Sequence, residues 1–385
     1  MSNSTAETEH SSGKAPLKKD WINILFLTFT PVLGVPVLAW YTYQVGFQWW
    51  MFGLFFALYC LVGLSICAGY HRYFSHKSYD CSPAVQVFYA IFGAMAAQNS
   101  ILQWSRGHRL HHSYSEQEWD PYSIKRGFWW AHMIWIFYHD QGASRLDNVK
   151  DLARNPVVQW QDRWYRSLVI GVGFGLPALI GWYFGDAIAG LLWGGFLRVV
   201  FVHHSTFFVN SLAHHTGSPT YDDAATARDN FAVALLTFGE GYHSFHHRFP
   251  SDFRNGVRWY HWDPAKWFIK GLSAVGLASN LRATEAPRIE QTRMEVAVKL
   301  LEARLARAEP SLGSEIRARI DRTRTAFEGA MALWRKQKEE RQQGLAGQWK
   351  ETQRNYRIRI KQARREWREV LRACERLTNS TETAV

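Results

Sequence analysis

Apolar residues in the first half of this chain run in long, nearly unbroken blocks. The first, "WINILFLTFTPVLGVPVLAWYTY" (21–43), contains Pro31 and Pro36, which predict a kink. The second is "WWMFGLFFALYCLVGLSICAGY" (49–70). The third is "LVIGVGFGLPALIGWYF" (168–184), and the fourth opens with "AIAGLLWGGFLRVVFV" (187–202) and extends to about residue 209. Crossing the hydrocarbon core takes roughly 20 apolar residues, so each block predicts a membrane span. The links inside the pairs, "QVGFQW" and "GD", are so short that each pair predicts a helical hairpin. A fifth run, "SPAVQVFYAIFGAMAAQNSILQW" (82–104), is interrupted by Gln98, Asn99 and Ser100. It predicts a segment lying in the membrane interface or dipping into it.

The pattern changes at about Thr284. From there the chain is dense in Glu, Arg and Lys, and apolar residues fall on a stripe: Met294, Val298, Leu301 and Leu305 at 4-3-4 spacing. Pro310 and Gly313 predict an interruption, after which Ile316, Ile320, Phe327, Met331 and Trp334 resume it. Two or three long amphipathic helices are expected, packed as a hairpin or coiled coil. The organisation read from this is a polar N-terminus (1–20), a membrane-embedded domain (21–283) and a charged helical extension (284–385). The fold class is an all-α integral membrane protein, with four spans in two hairpins and a helical cap. For the extension, the readings are a solvated appendage, homo-oligomerisation, docking of a donor protein, or contact with anionic lipid.

Charge adds orientation. The net charge is +12, and the mean hydropathy of −0.26 averages an apolar front with a charged tail. Neither hairpin link carries Lys or Arg, whereas Lys14, Lys18 and Lys19 precede the first span, and Arg106, Arg109, Lys125, Arg126 and Arg145 occupy the central loop. The positive-inside bias places both termini and the central loop in the cytoplasm. A bacterial inner membrane is the expected location, with lipid rather than nucleic acid as its surroundings. The N-terminus has no short apolar core with a small-residue cleavage site, so a cleaved signal peptide is not expected. Cys60, Cys67, Cys81 and Cys374 lack CxxC spacing and read as structural thiols.

Histidine supplies the chemistry. "HRYFSH", "HRLHH" and "HSFHH" all fall on the predicted cytoplasmic side. His108, His111 and His112 stand at i, i+3 and i+4, as do His243, His246 and His247, so each triplet can present its imidazoles from one helix face. Asn210 and His214 are spaced i, i+4 where the fourth span leaves the membrane. His71 and His76 are five apart and converge only if their helix ends or bends between them. One HxxHH in a basic loop reads as a solvated face; three boxes at membrane exits read as a shared metal site. Nine imidazoles and one carboxamide exceed the four ligands of a single zinc and suit two ions with open positions. Zinc, copper, iron and nickel all accept imidazole. His10, His132, His139, His203, His204, His215 and His261 lack this phasing, although His204 and His215 are near enough to support ligands. Arg198, inside the fourth span, reads equally as facing a polar interior or as snorkelling to the interface.

These residues carry a family resemblance. From about 49 to 268 the chain resembles the membrane fatty acid desaturases, in particular the stearoyl-CoA (Δ9 acyl-CoA) type in a bacterial-like form. "AGYHRYFSH", "QNSILQWSRGHRLHHSYSEQEWDP", "NSLAH" and "GEGYHSFHHRFP" carry it. The resemblance implies a di-iron centre held by His71, His76, His108, His111, His112, His214, His243, His246 and His247, with Asn210 reaching the metal through a water. It implies that Gln98, Trp104 and Thr206 bend the acyl chain at the reacting carbons, and that Tyr59 and Gly63 close the far end of its tunnel. Arg106 is matched to the family's carrier-binding region. Two positions depart from the pattern: Gly107 stands where the family has Asp, and His139 and Asp140 where it has an Arg-Lys pair that binds CoA phosphates.

The expected reaction is O2-dependent insertion of a cis double bond, at Δ9, into a long-chain saturated acyl-CoA. Desaturation of phospholipid-bound chains and hydroxylation by a related di-iron alkane or fatty acid hydroxylase are the alternatives, and a membrane zinc carrier is the non-enzymatic one. With no CxxCH, HPGG or GxGxxG signature outside a span, electrons must come from a separate ferredoxin, rubredoxin or cytochrome.

Overall fold

A computed structural model of the protein describes residues 17–139, 146–305 and 310–382. His10, Lys14, Asp140 and Arg145 lie outside the described residues. The described chain is almost entirely helical; its one sheet is a two-residue antiparallel pair, Asp80–Cys81 with Ala278–Ser279. Two compact units result: one holds 17–217 and 230–282, the other 218–229 and the chain from 283 onward.

In the first unit four helices are long and apolar enough to cross a membrane: Trp21–Val45, Trp49–Ser75, Pro156–Tyr183 and Ala187–His215. Helix continues through Pro31 and Pro36 in the first span. The third starts earlier than its apolar block, because Asn155 caps it by accepting from the N–H groups of Val157 (2.9 Å) and Val158 (3.2 Å). Short connections make two hairpins. In the second hairpin the helices cross on two glycines: a Cβ on Gly181 would lie 2.6 Å from Gly190 Cα, so only glycine permits this approach. The hairpins are joined by a stack of Trp50 on Phe184 (5.2 Å) and by the Tyr41 hydroxyl, which donates to Asp186 (2.9 Å).

The second span does not stay α-helical. From Ser65 to Ser75 it widens into a π-helix, and His76 N–H bonds back five residues to the carbonyl of His71 (3.1 Å). Widening, rather than the expected end or bend, therefore brings His71 and His76 to the same side.

The run at 82–104 is not one interfacial element. It forms the helix Pro83–Ala94, an irregular turn with positive φ at Ala97 (53°) and Asn99 (81°), and a new helix, Ile101–Tyr114. Irregular backbone at this depth needs protein donors. Arg198 provides them: fully buried, it donates to the carbonyls of Met95, Gly173 (2.6 Å) and Gly194 (3.0 Å), and His203 Nε2 lies 2.8 Å from Ala96 O. Arg198 thus faces a polar interior and does not snorkel. Cys60, Cys67 and Cys81 are free thiols.

Among the described residues the second unit contains three helices, Ala286–Leu305, Pro310–Gln342 and Ala346–Glu382. Its core holds the sequence stripe: Met294, Val298 and Leu301 pack with Ile316, Ile320, Phe327 and Met331, and the last helix adds Ile360, Ala363 and Val370. Gly344, at φ +73°, turns the second helix into the third. Pro310 and Gly313 both lie within a helix, so neither interrupts the pattern as expected. The loop at 218–229 belongs with this unit, where Lys299 pairs with Asp223 (2.7 Å).

Candidate metal centre

Four helical segments bring the histidine boxes together: the π-helical end of the second span, the 101–114 helix, the short helix Leu212–His215 and the helix His243–Arg248. Ser100 caps the 101–114 helix at its start. Arg109, between the first and third histidines of its box, fixes the helix against the second span. Its guanidinium donates to the carbonyls of Phe74 (2.7 Å), Ser75 (2.9 Å) and Asn148 (2.7 Å) and pairs with Asp151 (2.8 Å).

The histidines gather into two groups. His71, His76, His108, His112 and His246 form one; His111, His214, His243 and His247 form the other, and within each group the candidate ligand nitrogens all lie within 4.8 Å of one another. Neither HxxHH triplet points at a single locus, as the spacing had suggested. On an α-helix i and i+4 are about 40° apart, whereas i+3 and i+4 diverge by about 100°. His108 and His112 therefore serve one group and His111 the other; His243 and His247 serve one and His246 the other. Each helix straddles both groups and fixes the distance between them.

The donor set fits metal ions. The nitrogens that meet are all Nε2: His71–His246 at 3.0 Å, His76–His108 at 2.8 Å, His112–His246 at 2.9 Å, His111–His247 at 3.3 Å, and His243 with His214 and His247 at 3.0 Å. Ligands about 2.1 Å from one ion and at right angles to each other sit about 3.0 Å apart, which matches this packing. Six of these rings are held neutral, as ligation requires. Burial, followed by the neighbouring histidines, pushes His76, His108, His112, His246 and His247 well below the usual imidazole range, and His243 down to about 3.

Two carboxylates that the sequence reading missed stand behind the rings, one for each group. His111 Nδ1 contacts Asp120 Oδ1 at 2.9 Å, and His71 Nδ1 lies 2.6 Å from Glu240 Oε2. A carboxylate on Nδ1 fixes the tautomer that leaves Nε2 free for metal. Asp120 is set by the backbone N–H groups of Glu116 (3.0 Å) and Tyr122 (3.2 Å). Glu240 belongs to a buried network: Arg72 donates to Glu240 (3.0 Å), Asp263 (2.9 Å) and the Phe253 carbonyl (3.0 Å), and Asn255 donates to Glu240 (2.7 Å). Burial alone would raise the Glu240 pKa, but His71 and Arg72 hold it down at about 2. The signal for both acids was present in the boxes themselves, in "GEGYHSFHH" and "SEQEWDP".

Asn210 ends the helical run of the fourth span at a break at Ser211, after which Leu212–His215 carries His214. The break is held from outside: His132 Nδ1 meets Ser211 Oγ (2.9 Å) and its Nε2 meets His204 Nδ1 (3.1 Å). His204 thus reaches the break through His132. Among the described residues, His132, His139, His203, His204, His215 and His261 belong to neither group.

A cavity of about 1390 Å³ opens beside the groups, and Asn210, His71, His108, His111 and His243 line it. Trp104 forms part of its wall, stacked on the His108 ring at 5.1 Å. Gln98 Nε2 donates to Thr206 Oγ1 (3.1 Å), and that hydroxyl donates to the Val202 carbonyl (2.9 Å). Tyr59 and Gly63 line another part together with Phe238, whose ring sits directly on Gly63. Arg106 is buried with its Nε donating to Gln103 (3.3 Å), Gly107 has open space where a Cβ would be, and exposed His139 pairs with Asp20 (3.4 Å).

Fold and site define an integral membrane protein with a two-group histidine centre on the wall of a large cavity. The protein-family model described as "Fatty acid desaturase" matches residues 47–276. "Acyl-CoA desaturase 1" of Saccharomyces cerevisiae is 38% identical over 75% of this chain and 56% of its own length. The "sn-2 palmitoyl-lipid 9-desaturase" of a Nostoc species is also 38% identical, over 68% of this chain and 90% of its own. "Stearoyl-CoA desaturase 5" of Homo sapiens is 36% identical, over 62% and 74%. The chain thus covers little more than half of the yeast relative. It belongs to the fatty acid desaturase family.

Proposed function

We propose that this protein is an O2-dependent di-iron desaturase that introduces a cis double bond, at Δ9, into a long-chain saturated acyl group presented as acyl-CoA. The observation that carries the reading is the pair of largely buried histidine groups on the wall of the cavity. One iron would be held by His71, His76, His108, His112 and His246, the other by His111, His214, His243 and His247, with Asn210 contributing through a water. Two bound irons would supply the oxidising power, drawn from O2 and two external electrons, to remove hydrogen from an unactivated methylene pair.

The chain's own residues do the rest. Trp104 and the Gln98–Thr206 pair would turn the acyl chain so that one pair of carbons passes the histidine groups. Asp120 and Glu240 orient the rings. The apolar end formed by Tyr59, Gly63 and Phe238 would set how far the chain enters. Electrons would arrive from a separate ferredoxin, rubredoxin or cytochrome at a cytoplasmic face.

A second carrier is favoured by specific observations. Gly107 offers no side chain, and His139 is engaged with Asp20, so two positions matched to CoA recognition present no strong phosphate donor. A lipid-linked acyl chain would not need them. The test supplies purified, reduced enzyme with palmitoyl- and stearoyl-CoA or with phospholipid carrying the same chains. Product from the CoA esters supports the proposal; product from phospholipid alone moves the carrier; a hydroxylated product replaces desaturation.

A further inference from the structure

The third helix of the second unit, Ala346–Glu382, carries a cationic stripe that no part of the proposed reaction uses. Within 354–368 the residues Arg354, Arg357, Lys361, Arg364, Arg365 and Arg368 are all exposed. At 100° per residue they occupy a sector about 100° wide, over a length of about 21 Å. The residues that meet the unit's core from the same stretch, Tyr356, Ile360, Ala363 and Trp367, lie in a different sector. Within the stretch the one acid, Glu366, sits off the stripe and is half-buried, as Arg359 sits off it and is exposed; Glu351 and Glu369 flank its two ends.

A merely solvated helix face would not be built this way. Solubilising faces interleave acids with bases at i+3 and i+4, as in the neighbouring helix Pro310–Gln342, where Lys336 meets Glu340 (3.8 Å) and Arg324 meets Asp321 (3.9 Å). Between those flanking acids the same spacings join like charges: Arg354 with Arg357, Arg357 with Lys361, Lys361 with Arg364 and Arg365, and Arg368 with both of the latter. Each such pair opposes the helix. Within the stripe Arg364 pairs with an acid, Glu290 at 3.1 Å, and both partners keep water contact. The remaining residues from 283 onward are nearly balanced in sign, so the excess charge of the extension is concentrated on this face. Ile358, 56% exposed, lies at the stripe's edge.

We infer that this stripe binds the anionic headgroups of the membrane leaflet in which the protein's own spans sit. A straight, ungrooved row of guanidinium groups fits a flat sheet of phosphates, and long Arg and Lys stems lie over an interface with their charged ends in the headgroups. The extension is tethered to the spans by the chain itself, which keeps the bilayer at a high effective concentration for it. A soluble donor protein is the alternative occupant, and the experiment below separates the two.

The test uses the full chain in nanodiscs of phosphatidylcholine alone or with about 30% phosphatidylglycerol, and measures trypsin cleavage within 354–368. Cleavage at Arg317 and Arg319 in the preceding helix is the internal control. The expected result is at least about tenfold slower cleavage of the stripe in anionic discs, lost in 0.5 M salt, with the control sites unchanged. In the variant Arg357→Gln, Lys361→Gln, Arg364→Gln, Arg365→Gln, which keeps helix propensity, Arg354 and Arg368 should be cut equally in both discs. Equal cleavage of the native stripe in both discs would overturn the inference. Protection that appears only on adding an acidic ferredoxin would also overturn it, in favour of donor docking.

Discussion

Replacing Gly63 with alanine should shorten the acyl chain that the enzyme prefers. A Cβ on Gly63 would fall 2.0 Å from Phe238 Cε2 and 2.5 Å from its Cδ2. Carbons settle at about 3.5–4.0 Å, so the ring must retreat by about 1.5 Å. Gly63 lies in the helical part of the second span and has little freedom to yield. The ring is also flanked by Tyr59, at 5.3 Å between centroids, whose hydroxyl is fixed to the Leu236 carbonyl. The open direction is the cavity, which all three residues line. Such a shift removes the room of one or two methylenes. Each is worth about 0.8 kcal/mol when buried, or about fourfold in relative affinity. In competition between palmitoyl and stearoyl substrates on one carrier, gas chromatography of the products should show a shift of about 4- to 15-fold toward the shorter chain. Gly63→Trp should push it further, at an overpacking cost of about 1–3 kcal/mol in stability. An unchanged product ratio in folded, iron-loaded Gly63→Ala would refute the placement of the cavity's end at this glycine.

Asp120→Asn and Glu240→Gln should each lower metal affinity by about 10- to 100-fold while leaving secondary structure intact, as measured by competition with a chelator. Arg109→Met removes donors from three backbone carbonyls and should cost about 2–4 kcal/mol in thermal unfolding. The Asp151 carboxyl is raised by burial but lowered further by Arg109 and Lys77, so it sits well below the usual carboxylate range. Its contribution is therefore complete above about pH 4 and is lost as pH falls below that. Asp151→Asn should flatten the acid limb of the stability profile, and an unchanged limb would contradict the pairing. Truncation near Thr284 should leave iron content unchanged, because every histidine of both groups lies in the first unit.

The spans were legible because hydrocarbon demands unbroken apolar length, and the hairpins because their links are so short. The nine histidines were legible from their placement at membrane exits. Their division into two groups was not. It follows from the angular difference between i+3 and i+4 on helices that pass between the groups, and a spacing pattern alone does not say on which side of a helix a partner stands. The π-helix was hidden for a similar reason: five-residue spacing signals an anomaly at His71 and His76, but bending, ending and widening all satisfy it. The break at 95–100 depends on Arg198, about a hundred residues away, and the carboxylates behind His71 and His111 come from loops whose contacts no local rule specifies. The helices of the extension were readable from their stripe. The one-sided charge on the last of them was visible in sequence, but it became meaningful only once the core-facing side was fixed.

In the proposed function the two histidine groups each hold one iron. The direct measurement is the iron content of folded, anaerobically reconstituted protein, taken together with His246→Ala and His247→Ala, which remove one ligand from each group in turn. About two irons per native chain are expected, with each substitution weakening one of two distinguishable binding steps. A single iron per native chain, or two irons that survive both substitutions with unaltered affinity, would contradict it.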